Sequence, residues 1–215
     1  MGLSAAPAAR RKRAVESFKT AADCIGPVER DMSLFAVTRG QFSMIDAVLH
    51  VLDCVGPAKV SLWTWTIAEY EVQSLDRLRL DKRVTGARLI IDAGARAKNA
   101  GLISQWQDAF GPDSVRYVVN HAKIALVEGE NGMKVCLRGS MNLNFNPRFE
   151  QLDVTEGGPD FDLVREIEDE LPILSDKCSN AQAWSASKVS EAYTAEELEQ
   201  FKSVKPFGGV KVWAK

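Results

Sequence analysis

Apolar residues along the first half of the chain recur in two alternating rhythms. Ser33-Leu34-Phe35-Ala36-Val37 is a short, nearly continuous apolar run that suits a strand, whereas Ile45, Val48, Leu49 and Leu52, within Phe42 to Val55, repeat at the spacing of one helix face. Gly56-Pro57 stops that helix. Lys59 to Ile67 is rich in β-branched and aromatic residues and predicts a strand, followed by a helix from about Glu69 to Asp81 and a strand over Ala87 to Asp92. A further helix carries Leu102, Ile103, Trp106 and Phe110 and ends at Gly111-Pro112. Strands alternating with helices are the mark of an α/β domain, here with a mixed sheet flanked by helices.

Strands crowd together in the second half: Val115 to Val119, His121 to Glu128, Lys134 to Leu137 and Glu150 to Val154. Gly129-Glu130-Asn131-Gly132 reads as a hairpin turn, because Asn-Gly favours positive φ, and it pairs the His121 strand with the Lys134 strand. A charged helix from Asp162 to Leu171 is expected to pack Leu163, Val164, Ile167 and Leu171 on the sheet. The first thirty or so residues mix Ala, Pro and basic residues and predict an arm with one short helix from Ala14 to Cys24. From Ser175 on, Ser, Ala and Lys dominate, and Thr194-Ala195-Glu196-Glu197 is a capping box opening a helix that runs to Phe201. The expected organisation is therefore a basic arm at 1–31, one catalytic domain at 32–174 and a tail at 175–215, with no internal repeat.

A chain of 215 residues and formal net charge -2 supports one buried core and supplies no global attraction for a polyanion, so an anionic ligand has to be held by a local basic site. Arg10, Arg11, Lys12, Arg13 and Lys19 form a basic run that serves either solubility or nucleic-acid contact. Cys24, Cys54, Cys136 and Cys178 are too scattered for a zinc site or a disulfide framework and read as free, buried thiols. No apolar leader accompanies the basic run and no stretch has the length to span a bilayer, so the expectation is a cytoplasmic protein without a transmembrane segment.

The chemistry concentrates in His121-Ala122-Lys123 and in Gly139-Ser140-Met141-Asn142. Residues two apart on a strand share a face, so His121 and Lys123 are expected side by side, Ser140 and Asn142 likewise, and Glu128 on the opposite face. The hairpin could join these pairs into a patch of imidazole, ammonium, hydroxyl and amide, an inventory able to bind and attack a phosphodiester. Lys123 would neutralise the non-bridging oxygens, Ser140 and Asn142 would bond them or orient His121, and a neutral imidazole would be the nucleophile. Gly139 would let the backbone approach the phosphate. Arg96 and Lys98, in the loop after a strand end, are candidate phosphate contacts and equally ordinary solvated charges.

His121-x-Lys123, four residues to the acidic Glu128, and then Gly139-Ser140-x-Asn142 between hydrophobic strands, resembles the HKD motif of the phospholipase D superfamily over residues 32–172. The resemblance implies a phospholipase D-like fold, attack by His121 on phosphorus to give a phosphohistidine, protonation of the leaving group by a second motif histidine, and no metal or other cofactor. It also implies a glutamate after the GSxN element that orients the histidine, a place that Glu150 fills at a shorter spacing. The motif's last letter is Glu128 instead of Asp, which parity turns away from the phosphate, so it is expected to tie the strand to a neighbouring loop. The chain has two histidines, and His50 lies in an apolar helical stretch with no lysine two residues on, so only one motif is present. The compact single-motif endonuclease branch of the family forms homodimers around one shared site, and the same is expected here.

Three functions follow from these residues: a metal-independent phosphodiesterase acting on DNA or RNA, which the compact form favours; a phospholipase or phosphatidyl transferase, for which an acyl groove is wanting; and an inactive nucleic-acid or protein-binding module. Trp63 and Trp65 share a strand face and could stack unpaired bases, but burial tendencies put them in the core.

Overall fold

The computed structural model describes residues 11–16, 19–141, 143 and 148–171. The helix expected at 194–201, the rest of the C-terminal segment and Asn142 lie outside the described residues.

The alternation read from the sequence is present. Strand β1 (Arg11–Glu16) is followed by the short helix α1 (Ala21–Ile25), β2 (Met32–Thr38), α2 (Met44–Val55), β3 (Ala58–Thr64), α3 (Glu69–Leu80), β4 (Val84–Asp92) and α4 (Ala100–Phe110). Then come β5 (Val115–Val118), β6 (Ile124–Gly129), β7 (Lys134–Gly139), β8 (Glu150–Glu156) and α5 (Pro159–Glu170). The eight strands form one mixed sheet in the order β1-β2-β8-β7-β6-β3-β4-β5. Strands β1 and β2 run parallel, as do β3, β4 and β5, while every pairing from β2 through β8, β7 and β6 to β3 is antiparallel. Consequently β1, β2, β7, β3, β4 and β5 all end at one edge of the sheet, where β6 and β8 begin.

Local sequence explains most boundaries. Helix α2 opens with a capping box, in which Ser43 Oγ accepts from the Asp46 backbone N–H and the Asp46 carboxylate accepts from the Ser43 N–H at 2.8 Å. Gly56 then ends it at positive φ. The hairpin between β6 and β7 closes with Gly129 N–H donating to Met133 O at 2.9 Å and with Gly132 at φ 79°.

Helices α2, α3 and α4 cover one face. Ile45, Val48 and Leu52 of α2, Leu75 of α3 and Trp106 of α4 are buried there against Leu34, Leu62, Leu89, Val127, Leu137 and Leu152 of the sheet. Truncating any one of these to Ala carries the ~2–5 kcal/mol cost of a cavity in a packed core. Helix α5 lies on the other face, with Phe161 buried against Leu126 and Cys136.

Three elements differ from expectation. The stretch expected as a helix from Ala14 to Cys24 is split into β1 and α1, because residues from Arg11 on pair with β2 and Thr20, accepting from Asp23 N–H at 3.0 Å, caps a new helix start. Arg13 of the basic run donates its guanidinium to the Cys24 and Ile25 carbonyls, the last of α1. Helix α5 is rotated from the face its aliphatic residues suggested: Val164 and Leu171 pack on the sheet as expected, but Leu163 and Ile167 are 57% and 42% exposed, and Phe161 and Glu168 take the buried line instead. Finally, β6 starts at Ile124 and not at His121. Of the thiols expected to be buried, Cys24 and Cys136 are and Cys54 is exposed, while Cys178 lies outside the described residues. No helix among the described residues is long and apolar enough to cross a membrane.

Candidate active site

Residues 119–123 join β5 to β6 across the sheet edge where most strands end, and Asn120 shapes that joint. Its side-chain amide, buried, donates to Thr64 O at 3.0 Å and Ala122 O at 3.2 Å, and its side-chain carbonyl accepts from Ala122 N–H at 2.8 Å. Its own N–H donates to Asp92 Oδ2 at 2.9 Å, and Asp92 Oδ1 accepts from Gly94 N–H at 2.9 Å. A single amide thus ties the ends of β3 and β4 to the residue before His121, and a network satisfied on every side holds one conformation. This is why the segment leaves the ladder before Ile124. The strand-parity argument for His121 and Lys123 therefore does not apply, since neither lies on β6.

The two side chains nevertheless meet. Lys123 Nζ sits 3.4 Å from both ring nitrogens of His121 and donates to the His121 carbonyl at 2.8 Å. The imidazole is exposed, whereas Lys123 is only 9% exposed. Burial pushes the Lys123 ammonium below the usual lysine range, and the Glu150 carboxylate pulls it back in part.

Glu150, at the start of β8, is buried and accepts a hydrogen bond from Ser140 Oγ. That hydroxyl in turn accepts from Gln151 N–H at 2.9 Å, and Ser140 N–H donates to Gln151 O at 3.1 Å. Ser140, expected to bond a phosphate or orient His121, is thus committed to Glu150 and to the end of the β7–β8 ladder. Glu150, expected to orient His121, has Ser140 as its partner and acts on Lys123 through charge. Gly139 has a different reason from the one expected: a Cβ there would lie 2.1 Å from the Gln151 carbonyl oxygen, so it is the close approach of β8 that requires glycine.

An open depression of about 380 Å³ runs beside this cluster, lined by Lys123, Arg138, Ser140, Gln151 and Asp153 among others. Arg138 pairs with Asp160 at 2.8 Å. Arg96 and Lys98 lie on the same edge, in the loop following β4; Arg96 stacks over Tyr117 at 5.3 Å and Lys98 borders a second depression. Arg39, past the end of β2, stacks over the exposed Phe149 at 5.9 Å. Glu128 sits near the far end of β6, 3.5 Å from Arg165 of α5, so it ties the strand to a helix instead of to a loop. His50 is held on α2, its Nε2 2.7 Å from the Gly26 carbonyl. Among the described residues no group of His, Cys, Asp or Glu is placed to hold a metal ion.

Sequence reasoning missed Asn120 and Asp92, whose only signal is polarity at strand ends. It also placed Trp65 in the core, where the structure leaves it 53% exposed; Trp63 is packed, with its N–H on Glu168 Oε1 at 2.7 Å.

Fold and site together define an α/β protein with one histidine–lysine pair on the edge of a mixed sheet. No protein-family model and no curated protein matches the chain. Among solved structures it is similar to a phospholipase D family member, Nuc, from Salmonella typhimurium, at 14% identity and TM-score 0.43, covering 64% of this chain and 91% of that one. It is also similar to polyphosphate kinase from Porphyromonas gingivalis, at 14% identity and TM-score 0.49, covering 79% of this chain and 31% of that one. A mutant of yeast tyrosyl-DNA phosphodiesterase matches at 15% identity and TM-score 0.31, covering 57% of this chain and 30% of that one. This chain spans about a third of the length of the last two. Likeness at such identities does not carry an activity from one protein to another.

Proposed function

We propose that this chain is a metal-independent phosphodiesterase that cleaves DNA or RNA through a phosphohistidine at His121, in a site shared by two copies of the chain. The observation that carries the reading is the pairing of an exposed imidazole with a buried ammonium, Lys123 Nζ lying 3.4 Å from both ring nitrogens of His121. An ammonium so placed is ready to neutralise a phosphate brought up to the imidazole, and its low hydration raises the strength of that contact.

In this mechanism an unprotonated His121 nitrogen attacks phosphorus, an N–P bond forms and the P–O bond to the leaving group breaks. The departing oxygen takes a proton from the same imidazole of the second copy. That imidazole then removes a proton from water, whose oxygen attacks phosphorus, breaks the N–P bond and frees His121. Lys123, with Arg96 and Lys98 farther along the edge, balances the phosphate charge; Ser140 and Glu150 hold Lys123's surroundings, and Asn142 is assigned to the phosphate by its place in the motif.

The test is incubation of wild type and His121→Ala with single- and double-stranded DNA, RNA and bis(p-nitrophenyl) phosphate, all in chelator. Cleavage that survives chelator and vanishes in the variant is expected, together with acid-labile, base-stable phosphate on the protein during turnover. A folded wild type that cleaves none of them ends the reading, and a lipid substrate or an inactive binding module replaces it.

A further inference from the structure

We infer that Trp65, with Lys98 beside it, is a stacking subsite for an unpaired nucleobase next to the phosphate that His121 attacks, so that the preferred substrate is single-stranded. This rests on the nuclease reading above and narrows its substrate.

The two tryptophans of this segment have opposite fates. Trp63 is packed beside Ile90, Val118 and Leu171 with its N–H donated to Glu168, whereas Trp65, just past the end of β3, is 53% exposed. An indole hides ~150–250 Å² of surface when buried, so leaving half of one in water at a strand end forgoes a large stabilisation. Trp65 instead walls a depression of about 310 Å³, completed by Thr66, Asp92, Gly94, Ala95 and Lys98. With a carboxylate and an ammonium among its walls, the space does not suit an acyl chain. Its chemistry is also that of a base site: an aromatic face, a backbone bare of side chain at Gly94, and an exposed ammonium at Lys98 for the attached phosphate. Each oxygen of Asp92 already holds one backbone N–H and keeps a lone pair for an exocyclic amino group.

The depression is joined to the candidate active site by short covalent and hydrogen-bonded steps. Trp65 follows Thr64, whose carbonyl accepts from Asn120 at 3.0 Å, and His121 follows Asn120. In the antiparallel β3–β6 ladder Trp63 stands opposite Ile124, and Trp65 lies two residues past that pair and His121 three before it, so the two leave neighbouring strands at the same end, on the order of 10 Å apart, the reach of a neighbouring nucleotide. A base inside a duplex offers no free face to the indole, so the subsite reads only unpaired bases.

The experiment measures binding of short labelled single strands and of the matching duplex by fluorescence anisotropy, on a His121→Ala background so that nothing is cut. Trp65→Ala is expected to weaken single-strand binding by between about fivefold and a hundredfold, the range that one stacked base supplies. Trp65→Phe should recover most of the loss, duplex binding should change little, and an abasic nucleotide in the strand should reproduce the loss without adding to that of Trp65→Ala. Single-strand binding by Trp65→Ala equal to that of its parent, or a loss that tracks dissociation of a dimer in sedimentation, overturns the inference. Turnover of bis(p-nitrophenyl) phosphate by the chain with His121 intact reports separately on the phosphodiesterase reading: if the reporter is cleaved and the abasic strand binds normally, only the stacking subsite fails.

Discussion

The Lys123 ammonium is held almost out of water beside an exposed imidazole, and its lowered pKa has a definite consequence for stability. A lysine whose folded pKa lies below its unfolded value is more easily protonated when the chain unfolds. Over the pH range between the two values the unfolded chain binds more protons, so stability rises with pH there, and below the folded value the full cost of the buried charge is present. At neutral pH the residue therefore works against folding while serving the proposed chemistry. Lys123→Met, which keeps the length of the side chain and removes the charge, is expected to melt at or above the wild-type temperature and to lose turnover of a phosphodiester by at least a hundredfold, about 2.7 kcal/mol of transition-state stabilisation. Calorimetry paired with a reporter assay reads both. A variant that is markedly less stable shows instead that Glu150 makes the buried ammonium a net structural asset. At this scale the residue types of the site were legible from the chain, and their partners were not. Nothing in the letters Gly139-Ser140 tells that the glycine exists for the Gln151 carbonyl and the hydroxyl for Glu150, because both partners come from β8, ten and more residues away.

Periodicity found the core strands and helices because each of them buries one face or a whole run, which is what a pattern of apolar residues records. It failed where another force set the element. Strand β1 is an edge strand of mostly polar residues, legible only through its pairing with β2. The chain leaves β5 and delays β6 because Asn120 bonds Thr64, Ala122 and Asp92, and no hydrophobic pattern encodes that. Helix α5 is turned by Glu168, which is fully buried and accepts from Trp63 at 2.7 Å, Arg165 at 2.9 Å and Arg88 at 3.2 Å; three donors draw a carboxylate inward and two aliphatic residues outward. Glu168→Ala is accordingly expected to destabilise by about 2–3 kcal/mol, since it leaves the Trp63 N–H without its acceptor and takes one of two carboxylates from each arginine, Arg88 keeping Asp169 and Arg165 keeping Glu128. The double variant Leu163→Gln with Ile167→Gln should change stability by ~1 kcal/mol or less, as surface substitutions do. Urea denaturation of both distinguishes this arrangement from the one the aliphatic pattern suggested, in which the ranking would be reversed.

One chain of this kind presents one exposed imidazole at the sheet edge among the described residues, and the displacement at phosphorus and hydrolysis proposed above would call for a second group to give and take the leaving group's proton. His50, the other histidine, is bound to the Gly26 carbonyl on α2 and follows the capped start of that helix by nearly two turns, so it is placed for packing and not for this role. In the proposed assembly a second copy brought to the same edge by a two-fold axis would supply the missing imidazole and would cover the exposed Phe149, which lies under Arg39. Such a shared site makes a quantitative demand on mixed assemblies. When wild type and His121→Ala are co-refolded so that subunits combine at random, only pairs with two wild-type chains hold both imidazoles, and activity should fall as the square of the wild-type fraction. Independent sites would give a linear fall instead. Sedimentation velocity on the same mixtures establishes that the variant still assembles. A linear dependence in assembled material, or full activity in a monomer at micromolar concentration, would mean that the proton donor belongs to the same chain, and the search for it would turn to the side chains around the depression that Lys123, Arg138 and Asp153 share.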